Sequence, residues 1–267
     1  MIVLSLGVGV QSTTTGLMCA EGEVGPMPDC AIFADTGAEP RHVYEYLDYL
    51  EPLLPFPVYR VMKGDGLQES VLKEIAGAGG RFASPPFYTT SEKGGGLLRR
   101  QCTREFKIEP ITKKIRELLG LSKGQRVPKN TRVIQYIGIS TDEAVRMKPN
   151  RESFIENRWP LIEKGMSRLD CLQWLRKRGY RKPNKSACTW CPYHDDALWR
   201  DMKNNDPESF ADAVRMDELI RKGVRGTTQQ LFVHRSMKPL SEIDFRNAED
   251  MGQMSMFGDE CEGMCGV

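Results

Sequence analysis

Long apolar runs are missing: nothing in the 267 residues approaches the roughly 18 consecutive apolar positions of a membrane-crossing helix, and charged residues make up 28%. The chain reads as soluble, with no membrane partner. A basic leader is also missing from the apolar start MIVLSLGVGV, whose glycines and serines suit a strand and turn better than a secretory segment, so the expected compartment is the cytoplasm. Net charge is only +2, which excludes a global field for nucleic acid. Local basic clusters at 176–185 (RKRGYRKPNK) and 97–107 (LLRRQCTREFK) remain as places that could steer a polyanion, or as plain solvated surface. No second histidine motif supports His194-Asp195 as a metal-dependent hydrolase dyad, so helix-cap or surface use is the better reading. Internal repeats are absent, and the one long stretch without pattern, 76–96, is expected to be a mobile loop.

What is present alternates. Strands are expected at 2–6 (IVLSL), 30–34 (CAIFA), 58–62 (VYRVM) and 132–139 (RVIQYIGI), each rich in Val, Ile or aromatics and bounded by turn formers. Helical patterns lie between them: STTTGLMCAEG, HVYEYLDYLEPLL, and EPITKKIRELLGL with Pro110 at a good first position and Gly120 near its end. The fold class implied is α/β, a parallel twisted sheet with helices on both faces. The second half is mainly helical: SRLD carries a Ser-x-x-Asp cap, Pro207 opens a further helix, and the tryptophans read as packing residues. The organisation expected is a nucleotide-binding α/β part over 1–150, a helical part of the same domain over 151–250, and a flexible cysteine-containing tail over 251–267.

The turn GVGVQS (7–12) follows the first strand and opens a helix, so backbone N–H groups and the positive helix end favour a phosphate there. It is neither a Walker loop, lacking the Lys-Ser/Thr pair, nor GxGxxG, lacking the third glycine. A purely structural turn is the alternative. CAIFADTGAEP puts Asp35, Thr36 and Gly37 at the carboxyl end of the second strand, where an acid and a hydroxyl suit a ribose, an adenine amine or a magnesium ion. Asp35 as a helix N-cap competes with that.

Eight cysteines in a reducing compartment point to metal or redox chemistry instead of a disulfide framework. Cys188-Thr-Trp-Cys191 has the turn spacing that lets two thiolates face one metal centre. Two further ligands are needed. Cys171 is one candidate, because its helix turns back through GYRKPNKS towards Cys188; a small apolar filler beside Leu172 and Trp174 is the competing role. Four thiolates suit zinc or a [4Fe–4S] cluster alike.

GVGVQS, FADTGAEP, RRQCTREFKIEP, GISTDEAVR, the block GMSRLDCLQWLRKRGYRKPNKSACTWCPY and the terminal DECEGMCG together resemble the PP-loop, or adenine-nucleotide α-hydrolase, superfamily. Within it, the chain resembles proteins similar to phosphoadenosine-phosphosulfate (PAPS) reductase. The resemblance implies a nucleotide site drawn from Ser5, Gly7, Gly9, Gln11, Ser12, Asp35, Thr36, Gly37, Gly138, Ser140 and Arg146. It implies Cys102 as a cluster ligand beside Cys171, Cys188 and Cys191, and it selects iron–sulfur over zinc. Cys261 becomes a tail nucleophile, with Arg100 and Lys107 neutralising phosphate or sulfate. The nucleotide is PAPS, adenylylsulfate or ATP, a thioredoxin-like reductant or sulfur donor is the implied partner, and a homodimer is compatible. The loop departs from the family's Ser-Gly-Gly-x-Asp-Ser: Gly7 stands at the first serine, Val8 at a glycine and Gln11 at the aspartate. Loss of that aspartate counts against magnesium coordination and α-phosphate cleavage. Ser140 stands where arginine is common, with Arg146 as the substitute. An ATP-using sulfurtransferase acting on tRNA or DNA is the alternative enzyme, and a non-catalytic nucleotide- or cluster-sensing subunit is the alternative without turnover.

Overall fold

The computed structural model describes residues 1–78, 85–90, 95–224, 227 and 229–246. The tail expected over 251–267, with Cys261, lies outside the described residues, as do 79–84 and 91–94 of the patternless stretch. In chain order the elements begin β1 (Ile2–Ser5), α1 (Val10–Ala20), β2 (Cys30–Asp35), α2 (Arg41–Leu50), β3 (Val58–Met62), α3 (Gly66–Ile75), β4 (Tyr88–Thr89) and β5 (Gly96–Leu97). They continue with α4 (Glu109–Leu118), β6 (Val133–Ile137), β7 (Ile155–Arg158), α5 (Pro160–Glu163), α6 (Arg168–Lys177), α7 (Asp196–Asn205), α8 (Pro207–Ile220) and β8 (Leu231–Phe232).

The chain divides into two compact units. The first comprises Met1–Asp35, Arg41–Lys63 and Lys107–Ser186; the second comprises Thr36–Pro40, Gly64–Phe106 and the residues from Ala187 onward. Residues 151–186, grouped by sequence with the helical part, thus belong to the first unit.

The first unit is a five-stranded parallel sheet in the order β3-β2-β1-β6-β7. Strand parity explains its layers, because successive side chains point to opposite faces. Leu4, paired with Tyr136 in register, shares one face with Ala31 and Phe33, and there α1, α2 and α6 bury Leu17, Leu47 and Leu175. Val3, paired with Cys30, shares the other face with Ile32 and Val133, covered by Ile111 and Ile115 of α4. Each such side chain removed from water contributes about 1.5–3 kcal/mol. Since β1 has β2 on one side and β6 on the other, the chain changes direction across the sheet at β1, the switch point where ligands of such sheets bind.

In α1 the run Thr13-Thr14-Thr15 is fully buried, and the Thr14 and Thr15 hydroxyls donate to the carbonyls of Val10 and Gln11 one turn back. Helix starts follow their sequence signals: Ser167 and Asp170 form a reciprocal capping box on α6, Pro110 sits in the first turn of α4, and Pro207 opens α8. Gly120 just beyond α4 takes φ +71°.

The second unit is built differently. Its core gathers Leu67 and Val71 of α3, Trp190, Trp199 and Met202 of the α7 region, and Met216 and Ile220 of α8. A small antiparallel sheet in the order β5-β4-β8 borders it, so part of the stretch 76–96 is ordered strand and not loop throughout. Asp195 caps α7 by accepting from the Leu198 N–H at 2.7 Å, the cap role expected for it, while His194 is buried against the Trp199 ring at 4.6 Å.

Candidate functional site: a backbone cradle and a cysteine turn

The turn between β1 and α1 is strained at one residue. Val8 has φ +59° with its side chain buried. A β-branched residue in the left-handed region is an outlier that persists only where the surroundings over-determine it, and such outliers cluster at ligand sites. A backbone path that glycine normally takes is here kept by a valine. Gly9 then precedes α1 in extended conformation (φ −89°, ψ 176°) without a side-chain cap, and the first turn holds no acidic residue. Its leading N–H groups have no carbonyl partner inside the helix.

Ser12 laces this loop together. Its Oγ accepts from the Gly7 N–H at 3.1 Å and donates to the Gly9 carbonyl at 3.3 Å. The segment after β6 closes against the same turn: a Cβ on Gly138 would sit 2.6 Å from the backbone N and Cα of Ser12. Only glycine allows that approach. Two residues on, the buried Ser140 hydroxyl accepts from Gln11 Nε2 at 3.3 Å. The sequence-assigned Gly7, Gly9, Gln11, Ser12, Gly138 and Ser140 therefore form one cradle, with a neutral amide at Gln11. Ser5 ends β1 immediately before it.

Other assigned residues have partners of their own. Asp35, ending β2, accepts from Tyr44 Oη of α2 at 2.8 Å, a contact that no spacing in the sequence signals. Arg146 pairs with Glu143 at 2.6 Å, both side chains largely buried. Lys107 falls in the first unit and Arg100 in the second, where the Arg100 guanidinium lies 5.2 Å from the centre of the Tyr193 ring.

In the second unit the cysteine turn is tied to the segment after β2. The Thr189 N–H donates to the Ala38 carbonyl at 2.7 Å, and the Thr189 hydroxyl reaches the same oxygen at 3.2 Å. Thr36 Oγ1 lies 3.4 Å from Cys188 Sγ and donates to Glu39 Oε1 at 3.2 Å. Gly37 supplies the turn with φ +66°. The Cys191 N–H closes on the Cys188 carbonyl at 3.0 Å, with Trp190 buried between them in sequence. Cys102 is half-buried against the same core, just ahead of a π-helical turn at Arg104–Ile108, a form frequent at functional sites.

The fourth ligand assigned from the sequence is Cys171. It is fully buried in the first unit's core on α6, where burial pushes its thiol up to about 12, opposed by a hydrogen bond with Thr14. Cys102, Cys188 and Cys191 belong to the second unit. Among the described residues no group of three or more His, Cys, Asp or Glu is arranged to hold a metal ion. Cys171 thus has the surroundings of the competing role, a small filler of an apolar core.

No family model and no curated protein match the sequence. Among solved structures, the chain is similar to phosphoadenylyl-sulfate (PAPS) reductase from Candida auris in its phosphate complex, at 12% identity and TM-score 0.44 over 70% of this chain and 80% of that one. It is also similar to the U34-tRNA thiolase NcsA from Methanococcus maripaludis with its [4Fe-4S] cluster, at 13% identity and TM-score 0.37 over 95% of this chain and 82% of that one. No helix among the described residues is long and apolar enough to cross a membrane.

Proposed function

We propose that the first unit binds an adenine nucleotide, its phosphate on the N–H groups between Val8 and Gln11, and that the protein carries out thiol-dependent sulfuryl chemistry of the PAPS-reductase type. The observation that carries the reading is the strained turn itself: a buried valine held at φ +59° and braced by Gly138 against the start of α1, at the switch point of a parallel sheet. The neutral Gln11 favours a nucleotide that needs no metal-assisted cleavage at its α-phosphate. Asp35 would fix the nucleoside, and Lys107 and Arg146 of the same unit would balance anionic charge.

In this proposal the Cys261 thiolate attacks the sulfur of the sulfuryl group. An S–S bond forms, the S–O bond to the nucleotide breaks, and the nucleoside phosphate leaves. A thiol reductant then releases sulfite and is itself oxidised to a disulfide. For a metal, whether iron–sulfur or zinc, the proposal is confined to the second unit's Cys102, Cys188 and Cys191, and no step passes through it. Equilibrium binding of ATP, adenylylsulfate and PAPS tests the reading, with sulfite release measured for Cys261→Ser. Binding of a sulfonucleotide above ATP and loss of sulfite release are expected; absence of nucleotide binding in the intact protein overturns it.

A second reading, an ATP-dependent sulfurtransferase acting on RNA or DNA, is favoured by the end of α6 and the segment that follows it. Arg176, Lys177, Arg181 and Lys182 are all exposed, and Arg181 lies over the Tyr49 ring. Pyrophosphate release from ATP that rises when RNA or DNA is added would select it.

A further inference from the structure

The second unit carries a linked serine, histidine and aspartate for which the nucleotide reading has no use. His234, buried two residues beyond β8, places Nε2 at 2.9 Å from Asp196 Oδ1 and Nδ1 at 2.8 Å from Ser236 Oγ. The backbone N–H of Ser236 also donates to Nδ1, at 3.1 Å. A backbone donor makes Nδ1 the acceptor, so the remaining ring proton sits on Nε2 and is donated to Asp196. The Ser236 hydroxyl then donates to Nδ1 as well. That is the relation of a nucleophile to its base, and of the base to a carboxylate that fixes its tautomer.

The surroundings hold this array in place. Asp196 is engaged on its other oxygen by Arg235 at 2.7 Å. The loop is clamped at both ends by the buried Asp217 of α8, whose carboxylate accepts from the Val233 N–H at 2.8 Å and the Leu240 N–H at 3.0 Å. Met237 takes φ +52° and donates its N–H to the His234 carbonyl at 3.0 Å, a left-handed residue directly after the serine. Ser236 is an exposed residue while its base is buried.

We propose that Ser236 is a nucleophile toward acyl esters, with His234 as its base and Asp196 as the residue that orients the imidazole. The Ser236 oxygen attacks the ester carbonyl carbon as its proton passes to His234 Nδ1. The bond to the leaving oxygen breaks, that proton leaves with it as an alcohol, and a seryl ester remains. Water attacks the seryl ester by the same proton route, releasing the acid and restoring Ser236. This chemistry stands or falls apart from the nucleotide reading.

The test is full-length protein incubated with p-nitrophenyl acetate or a fluorophosphonate probe, the adduct located by peptide mass mapping. One adduct at Ser236 is expected. Ser236→Ala, at an exposed position, abolishes it with an unchanged melting curve. Asp196→Asn slows labelling tenfold or so, and His234→Gln slows it by about 10²–10⁴-fold, the usual worth of a general base. An unlabelled native protein, an adduct elsewhere, or equal labelling of Ser236→Ala overturns the assignment.

Discussion

The candidate site of the first unit is made from backbone and that of the second from side chains. In the first, the cradle is a path of N–H groups fixed by Val8 in a left-handed conformation and by the close approach of Gly138 to Ser12, while the Ser12 hydroxyl is spent on the loop and that of Ser140 on Gln11. In the second, Thr36 beside Cys188, Arg100 over Tyr193 and Asp217 across the 233–240 loop place chemistry by direct side-chain contact. The lesson concerns which changes each unit tolerates. A backbone site survives polar side-chain exchange and fails when the chain path is blocked; a side-chain site behaves the other way.

The largest break is therefore expected at a residue with no side chain. Gly138→Ala puts a Cβ at 2.6 Å from helix backbone that has nowhere to move, and costs about 3 kcal/mol, the upper end of overpacking. Nucleotide binding falls with it. Gly9→Ala is the control, since a Cβ there meets nothing within 4 Å and the backbone is extended. Urea denaturation together with nucleotide titration separates the two, and equal effects would remove the claim that close approach builds the cradle.

In the second unit the corresponding break is Asp217→Asn. Two backbone N–H groups use two different carboxylate oxygens, and an amide offers only one, so one buried donor loses its acceptor and the contact with Arg221 loses its charge. The cost is about 1–3 kcal/mol. Burial holds the Asp217 carboxyl above the usual carboxylate range, against the pull of the two N–H donors and Arg221. The folded state thus binds this proton more tightly than the unfolded chain, so the group's contribution to stability declines as pH rises from the ordinary carboxylate pKa through the raised one. Denaturation midpoints across mildly acidic pH should carry that slope in the native protein and lose it in Asp217→Asn.

A smaller effect sharpens the strain argument. Val8→Gly loses about 1.5–3 kcal/mol of burial but relieves about 1–2 kcal/mol of left-handed strain, leaving a net cost of at most about 2 kcal/mol. Val10→Gly, buried at the start of α1 in ordinary helical conformation, recovers nothing and costs about 3 kcal/mol. Equal costs for the two would mean that Val8 is unstrained.

The same contrast explains what could be read from the sequence. Strands rich in branched and aromatic residues announce themselves: the edge strand Val58–Met62, none of whose residues is fully buried, coincides with its expected bounds, and the buried Cys30–Asp35 extends its run by one residue. Helix starts were legible because Ser167, Pro110 and Pro207 carry their own stereochemistry. The edge strand β7, reading Ile-Glu-Asn-Arg, has no apolar alternation, and the two-residue strands of the small sheet have no period at all. Val8 shows where identity misleads, since nothing in a valine signals a positive φ. Asp196, His234 and Ser236 come together only through the fold, because β8 and α7 lie far apart in the chain.

Cysteine identity alone could not separate ligand from filler, and the smallest expected effect tests that separation. Cys171 and Cys19 are each pushed up to about 12 by burial, so at pH 8 the thiolate is about one part in 10⁴ and alkylation of the folded protein by iodoacetamide should pass over both. Cys171→Ala then removes one buried sulfur at about 1 kcal/mol and leaves bound iron, sulfide or zinc unchanged in anaerobically purified protein. Cys188→Ala is expected to do the opposite, hardly moving the denaturation midpoint while lowering metal content. Should Cys171→Ala strip the metal with the fold intact, the thiol buried in the first unit would be a ligand after all, and the line drawn between a backbone-made unit and a side-chain-made one would have to move.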